Sequence, residues 1–290
     1  MKMSPRLVLV LAVAIVAVGL SGIAIWRSLG RSYWVPSPSS SFLIKLYSPL
    51  DTTSPTDLGN GESNYVGNPA TTPTVYDIDG NANTSATVDY LHGQGAHVIC
   101  YIPVGVWTPY MFDASNPLWG PLKGQALGST EHWLNTNPAG PHYGTLIKLM
   151  TAEFEMCRNK GFDAIQPDGI DEAEGYGVHF DGAPLTIAEV NTYLEQLTQI
   201  AHSLGLSIAQ MNYVDQATTL SQYFDFAIVE SCFAHHTCAD LAPYVATHKA
   251  IFEIEYTALP AAFCPAAIAG NRVAGRYDTL LDGKLRIPCS

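Results

Sequence analysis

The fold of this chain is predicted from the stretch KGFDAIQPDGID, residues 160–171. It contains the end of a helical pattern that begins at Tyr143 and stops at Gly161, followed by a short apolar run that ends on Asp168. Three other short apolar runs also end on a carboxylate, at residues 75–79, 224–230 and 250–255. Helical patterns separate most of these runs, an alternation that predicts parallel strands. The carboxyl ends of such strands form one rim of a barrel or open sheet, where these folds place their active sites.

The rest of the chain extends the alternation to eight predicted strands. They cover residues 42–47, 75–79, 97–104, 162–168, 207–212, 224–230, 249–254 and 272–276. The eighth is short and polar, so closure of the barrel is inferred from the βα rhythm and not from that strand alone. About 250 residues is the typical length of one (β/α)8 barrel. The fold class is therefore predicted as α/β, a single-domain (β/α)8 TIM-like barrel over residues 42–290.

The first 32 residues are predicted to be a signal peptide or a signal anchor. Residues 7–26 form an almost unbroken apolar run behind Lys2 and Arg6. That run is longer than the apolar region of a cleavable signal peptide, about 7 to 15 residues, which favours an uncleaved anchor. Residues 33–41, rich in Pro and Ser, are predicted to be a tether. The barrel is thus expected to be secreted or extracytoplasmic, with membrane contact only through the N-terminal segment.

The charge of the chain narrows the choice of partner. Charged residues make up 14% of the chain and the net charge is −12. Without a basic stripe, this balance argues against a nucleic-acid partner and suits a cationic or neutral substrate better. We expect a monomer that needs no cofactor.

Six cysteines in an exported chain predict disulfides, although fifteen pairings are conceivable. Cys232 and Cys238 are the easiest local pair, and a bond between Cys264 and Cys289 would fix the C-terminal tail. Cys100 lies inside an apolar run, so a buried free thiol is a reasonable alternative interpretation of this residue. A zinc site built on Cys232, Cys238 and the two histidines between them is less favoured, because its spacing matches no common zinc framework.

Two of the strand-end carboxylates form the predicted catalytic pair. Asp168 ends the fourth predicted strand and Glu230 the sixth, so the two can face each other across a sugar. Glycoside hydrolysis needs such a pair, because one group must protonate the leaving oxygen while the other attacks the anomeric carbon or activates water. An ion pair or a loop cap is the ordinary alternative for any single strand-end carboxylate.

Seven strings carry a resemblance to a known family over nearly all of residues 42–290. They are VYDID, GAHVICYIPVG, EHWLN, KGFDAIQPDGID, AHSLGLSIAQMN, FDFAIVESCFAHHTC and KAIFEIEY. In order and spacing they resemble the endo-α-1,4-polygalactosaminidase family of glycoside hydrolases. The resemblance implies a TIM-like barrel that hydrolyses α-1,4-linked galactosamine-containing polysaccharide without a metal. It also implies that the catalytic pair falls on Asp168 and Glu230. A resemblance to α-retaining barrels that use the fourth and sixth strands assigns Asp168 as the nucleophile and Glu230 as the general acid/base. A carboxyl separation of about 5 Å would support this double displacement, and one of about 6.5 to 9.5 Å would indicate inversion.

Other residues at the same strand ends and in the adjoining loops are candidate substrate-binding groups. Asp79 could bind a sugar hydroxyl, although a turn role before Gly80 is the alternative. Tyr101 and Trp107 could be flat platforms for sugar faces, with ordinary packing as the alternative. The remaining candidates are Glu131, Asp171, Asn212, Tyr213, Glu255 and Tyr256.

The chain departs from the family pattern near the proposed pair. Gln166 stands where members usually have Glu, Gly169 where they have Asn, and Met211 where they have Lys. After Gly105 the usual Glu and Arg are replaced by residues 106–111, VWTPYM. These changes motivate a second hypothesis, a carbohydrate-binding barrel without turnover. A polysaccharide deacetylase is a third, weakened because the chain lacks the usual spaced histidines.

Overall fold

The computed structural model describes residues 33–170, 179–180 and 183–290. The predicted export segment and Asp171 lie outside this part of the chain. Within the described residues, no helix combines the length and the apolar character needed to cross a membrane.

Eight parallel strands form the barrel in the order expected for a (β/α)8 fold. Around the barrel they are β1 (Phe42–Lys45), β2 (Val75–Asp79), β3 (His97–Pro103), β7 (Ala164–Asp168), β10 (Ser207–Met211), β11 (Phe226–Glu230), β12 (Ile251–Glu255) and β13 (Val273–Tyr277). The main helices around them are α1 (Ser85–Gly93), α2 (Tyr143–Lys160), α3 (Ile187–Ser203) and α6 (Pro260–Ala269), with short helices α4 (Ala217–Leu220) and α5 (Ala242–Ala246). The predicted TIM-like barrel is therefore confirmed for the described residues.

The loops carry the remaining strands. The long connection after β3 contains a three-stranded antiparallel sheet of β4 (Val106–Trp107), β5 (Lys123–Leu127) and β6 (Glu131–Leu134), and β8 (His179–Phe180) pairs with β9 (Ala183–Pro184). An unpredicted strand, β14 (Arg286–Pro288), runs antiparallel to β13. Its three residues include a proline and are too few to show a strand period.

Side chains and a loop bridge the gap between the first and the last strands. The Phe42 carbonyl accepts hydrogen bonds from the Arg286 guanidinium, at 2.8 Å from Nη2, and from the Tyr277 hydroxyl at 3.2 Å. The Leu46 amide donates to the Leu281 carbonyl at 2.9 Å. These contacts join β1 to the C-terminal part of the chain, so the sheet is nearly closed without a β1–β13 ladder.

Strand alternation divides the apolar core into two layers. An inner cluster fills the barrel with residues such as Phe42, Ile99 and Phe252, and the rings of Phe42 and Phe252 stack at 4.2 Å. A larger outer cluster packs alternate strand residues, such as Ile251, against the helices. Because successive residues of a strand face opposite sides, this division decides which strand-end groups can reach the cleft.

Three disulfides fix the outer layer. The predicted pairs Cys232–Cys238 and Cys264–Cys289 are both present. The interpretation of Cys100 as a free thiol is wrong, since it is bonded to Cys157. The sequence shows that Cys100 is buried, but only the packing of α2 on β3 brings the two thiols together.

The start of the predicted tether lies on the amino-terminal end of the barrel. The Tyr33 ring stacks on His202 at 5.0 Å between ring centroids, and Trp34 stacks on His97 at 4.3 Å. His202 in turn lies 2.8 Å from Asp225, at the beginning of β11. These contacts place residues 33–34 at the end of the barrel opposite Glu230, while the predicted domain boundaries stay a prediction.

Candidate active site

A cavity of about 810 Å³ opens at the carboxyl ends of the barrel strands. Asp168, the last residue of β7, and Glu230, the last residue of β11, both line it, with β10 between the two strands. Both side chains are only partly buried. The volume lies within the usual range for a small-molecule site, roughly 300 to 1,000 Å³. The two carboxylates predicted to act together therefore share one solvent-accessible cleft.

Glu230 is held by hydrogen bonds to both of its carboxylate oxygens. The Tyr256 hydroxyl donates to Oε1, and the Asn212 side-chain amide donates to Oε2 at 3.0 Å. The Asn212 side-chain oxygen, Oδ1, also accepts a hydrogen bond from the Glu230 backbone amide at 2.8 Å. Asn212 has a positive φ of 48°, a backbone conformation that asparagine tolerates better than most residues. These contacts fix the direction in which the Glu230 carboxylate points.

The electrostatic environment favours the protonated form of Glu230. Burial raises its pKa, the hydrogen bonds from Tyr256 and Asn212 lower it, and the negative charge of Asp168 raises it again. The net shift is upward. A carboxyl group with a raised pKa can carry a proton near neutral pH, which is what a general acid requires.

Asp168 is held by a second tyrosine. The Tyr101 hydroxyl, on the neighbouring strand β3, donates to Asp168 Oδ2 at 2.7 Å. Burial, followed by the charge of Asp168, raises the pKa of Tyr101 well above its usual range. The tyrosine therefore remains protonated and continues to donate to the carboxylate.

The structure places the other predicted binding residues in different environments. Asp79 and Glu131 line the cavity. One Asp79 oxygen also accepts from the Asn81 and Ala82 amides, at 2.7 and 2.8 Å, so the turn role weighed for Asp79 is real. Trp107 does not line the cavity: it packs on the outer core, and the Lys123 ammonium covers its ring.

Glu255 and Tyr213 do not reach the cleft. Glu255 shares the outer face of β12 with Ile251, is fully buried, and accepts from the Phe233 amide at 2.7 Å. Tyr213 follows Asn212, and both residues have a positive φ. That turn ends the strand alternation and directs the Tyr213 ring into the outer core. The prediction of both residues as substrate-binding groups is wrong, because a sequence run ending on a polar residue does not show which face that residue occupies.

Two departures from the family pattern lie side by side in the cavity lining. Gln166 and Met211 touch each other, with the Gln166 amide nitrogen 3.3 Å from the Met211 sulfur. With its amide turned over, Gln166 instead donates to the buried carboxyl of Asp77. Neither side chain carries a charge, so the Gln166–Met211 floor of the cavity is neutral.

The disulfides also decide between bonding and metal binding at Cys232 and Cys238. Both sulfurs are consumed in their mutual bond, and Glu253, the third group near them, pairs with Arg272 at 2.7 Å. The cysteine-containing zinc site considered from the sequence therefore does not form.

A buried acid, Glu153, supports one wall of the cavity. Glu153 is a buried residue of α2 and lies next to Asn81, which lines the cavity. Asn81 belongs to the loop after β2. Two backbone carbonyls of that loop accept from the Lys160 ammonium, at 2.7 Å for Gly80 and 2.8 Å for Asn83. Burial raises the pKa of Glu153 from 4.5 to about 8, against smaller opposing effects of the Phe112 amide, Asn81 and Lys160. Between these two pH values the folded chain keeps a proton that the unfolded chain has lost.

Glu153→Gln is therefore expected to flatten the dependence of stability on pH. The free energy of unfolding should fall as pH rises from about 4.5 to about 8, and Glu153 should contribute up to about 1.4 kcal/mol per pH unit to that slope. Urea denaturation at intervals between pH 5 and 8 measures it. Glu155→Gln, an exposed substitution on the same helix, should leave the slope unchanged. Equal slopes for wild type and Glu153→Gln would contradict the prediction.

A TIM-like barrel whose strand-end cleft holds two carboxylates is the arrangement of a glycoside hydrolase. The chain belongs to glycoside-hydrolase family GH114, whose model matches residues 27–283. The family predicted from the seven strings is thus confirmed. No curated protein sequence matches the chain by sequence comparison.

Solved structures show the same fold. The crystal structure of Aspergillus fumigatus Ega3 in complex with galactosamine is similar at a TM-score of 0.71 and 23% identity, over 86% of this chain and 95% of that one. The glycoside hydrolase domain of PelA from Pseudomonas aeruginosa is similar at a TM-score of 0.59 and 13% identity, over 86% and 98% respectively.

Proposed function

We propose that the protein is an endo-acting hydrolase of α-1,4-linked galactosamine polysaccharide that works outside the cytoplasm. The observation that carries the proposal is the shared cleft of Asp168 and Glu230, in which a separate tyrosine orients each carboxylate. Membership of the family and the galactosamine bound to Ega3 support the choice of sugar. Three disulfides support the location, since such bonds persist in oxidising compartments.

The charge of the cleft supports an amino sugar with a free amine. Among the described residues that line the cavity, four are carboxylates (Asp79, Glu131, Asp168 and Glu230) and none is Lys, Arg or His. A protonated galactosamine unit would be attracted to this surface, whereas an N-acetylated unit would not. The attraction should weaken with added salt.

The proposed mechanism is a double displacement. Protonated Glu230 gives its proton to the glycosidic oxygen while the Asp168 carboxylate attacks the anomeric carbon, so that the bond to the leaving sugar breaks and a glycosyl ester forms. Glu230, now ionised, then takes a proton from water as the water oxygen attacks the same carbon. This second step frees Asp168, returns the proton to Glu230, and releases a sugar with a new reducing end.

The test measures reducing ends released from galactosamine polymers of graded acetylation. We expect wild-type protein to cleave the de-N-acetylated polymer fastest, with a rate that falls as salt is added. If wild-type protein releases reducing ends from none of the galactosamine polymers, the proposal is wrong. Binding of the polymer without cleavage would instead support the non-catalytic barrel, for which the neutral Gln166–Met211 floor is the motivating observation.

Tyr256→Phe is expected to move the alkaline limb of the pH–rate profile to higher pH. The tyrosine hydroxyl lowers the pKa of Glu230 by donating to its ionised form, so its loss should raise that pKa further. Because Glu230 acts as the acid, activity should then persist to higher pH. The measurement is kcat/KM between pH 4 and pH 9.

The matched control is Tyr244→Phe, which removes a buried hydroxyl bonded to Gln210 at 2.8 Å, away from the residues that line the cavity. It should leave the alkaline limb in place. An unchanged or lowered limb in Tyr256→Phe would show that Glu230 is not the acid.

A further inference from the structure

Two tyrosines at the mouth of the cavity are almost entirely exposed. Tyr110 is 79% and Tyr47 68% exposed, yet both are among the residues that line the cavity. Most other aromatic side chains that the structure describes are buried or half-buried. Exposed apolar rings that border a cleft are a feature of binding surfaces.

The backbone on which each ring stands is fixed. The Tyr110 amide donates to the Thr108 hydroxyl at 3.1 Å, and the Tyr47 amide donates to the Leu281 carbonyl at 3.3 Å. A tyrosine side chain has only two rotatable angles and therefore loses little conformational entropy when a ligand covers it. Covering either ring with a sugar should therefore cost little side-chain entropy.

The rings stand on different loops around the cavity. Tyr110 lies in the long connection after β3, the strand next to β7 and Asp168. Tyr47 follows β1, and its backbone contacts the loop after β13. Asp168 and Glu230 are less exposed than either ring. A chain of sugars that lies over the two carboxylates and extends to the mouth of the cavity would meet these rings.

We propose that Tyr110 and Tyr47 are platforms for sugar units on either side of the cleaved bond, each presented by a different loop at the mouth of the cavity. This inference rests on the proposed function, which it deepens by assigning binding subsites for galactosamine units beyond the reacting one. The negative face of an aromatic ring attracts the C–H edge of a sugar, and a protonated amine on that sugar adds a cation–π interaction.

The inference predicts a dependence on substrate length. Tyr110→Ala and Tyr47→Ala should each lower kcat/KM for long de-N-acetylated galactosamine polymer by about tenfold, mainly through KM. The loss on a trisaccharide, which offers fewer sugar units for stacking beyond the cleaved bond, should be at least fivefold smaller. Tyr110→Phe and Tyr47→Phe keep the ring and should retain most of the wild-type value.

The control is Tyr90→Ala, a partly exposed tyrosine on α1 that does not line the cavity. It should match wild type on every substrate. All three alanine variants replace exposed side chains, and equal thermal midpoints establish that they fold.

Polymer affinity, measured by calorimetry in the Asp168→Asn background, separates this inference from the proposed function. If wild type cleaves the polymer but both alanine variants keep its kcat/KM and affinity, the platforms are refuted while the hydrolase stands. If wild type cleaves nothing but affinity falls about tenfold in each alanine variant, the platforms stand and the hydrolase is refuted. Equal losses on trisaccharide and polymer would also refute flanking subsites.

Discussion

Asp168→Asn and Glu230→Gln are each expected to abolish polymer cleavage almost completely. An amide at 168 cannot attack the anomeric carbon, and kcat should fall by at least about 10⁴-fold. An amide at 230 cannot give a proton to the leaving oxygen, and the fall should be about 10²- to 10⁴-fold. The double variant should be little worse than Asp168→Asn alone, because residues that act as a unit do not contribute additively. Initial rates of reducing-end release measure all three.

Rescue by azide separates the two roles. Small anions can attack where the alanine variants leave space. From an aryl galactosaminide whose leaving group needs no proton, Glu230→Ala with azide should therefore give a glycosyl azide that retains the anomeric configuration of the substrate. Asp168→Ala with azide should give the inverted configuration. Asp215→Asn, an exposed substitution outside the cavity lining, should keep wild-type activity. Wild-type rates in Asp168→Asn or Glu230→Gln would contradict the proposed pair.

Removal of the Cys100–Cys157 bond is expected to destabilise the fold more than removal of either other disulfide. The bond joins residues 57 positions apart, against 25 for Cys264–Cys289 and 6 for Cys232–Cys238. In the chain-entropy account, longer closed loops constrain the unfolded chain more, giving about 4, 3.5 and 2 kcal/mol respectively. Cys100 and Cys157 are also fully buried between β3 and α2, so replacing them loses packing.

The measurement is urea denaturation of three double alanine variants, Cys100→Ala/Cys157→Ala, Cys264→Ala/Cys289→Ala and Cys232→Ala/Cys238→Ala. The Cys232→Ala/Cys238→Ala variant is the control. It also removes one disulfide and two sulfur atoms, but from the shortest closed loop. A free energy of unfolding lowered least in the Cys100→Ala/Cys157→Ala variant would contradict the expected order.

Much of the fold could be predicted because its signals are local. The second predicted strand, residues 75–79, coincides with β2, and the others differ from the observed strands by only a few residues. The first seven are short runs rich in apolar residues, and runs of this length between turns are typical of strands buried on both faces. The eighth, short and polar, was inferred from the βα rhythm and is present as β13, whereas β14 is too short to have a pattern.

The candidate site was less accessible to sequence reasoning. Asp168 and Glu230 could be placed on one rim because both end parallel strands, while their functional roles stay a prediction. Tyr110 and Tyr47 were missed as cleft residues, since a tyrosine in a loop has no periodic pattern to show which way it faces. For Tyr110, the high density of aromatic residues in the connection after β3 was the one sequence signal that indicated a binding surface.

By itself the sequence determined the eight barrel strands to within a few residues, the family and the two carboxylates that end β7 and β11, because each depends on residues close together in the chain. Tertiary structure alone decided which groups meet. It bonded Cys100 to Cys157, turned Glu255 and Tyr213 away from the cleft, and set a tyrosine against each carboxylate. Such contacts join residues far apart in sequence, and the packing of the whole barrel fixes their distances and directions.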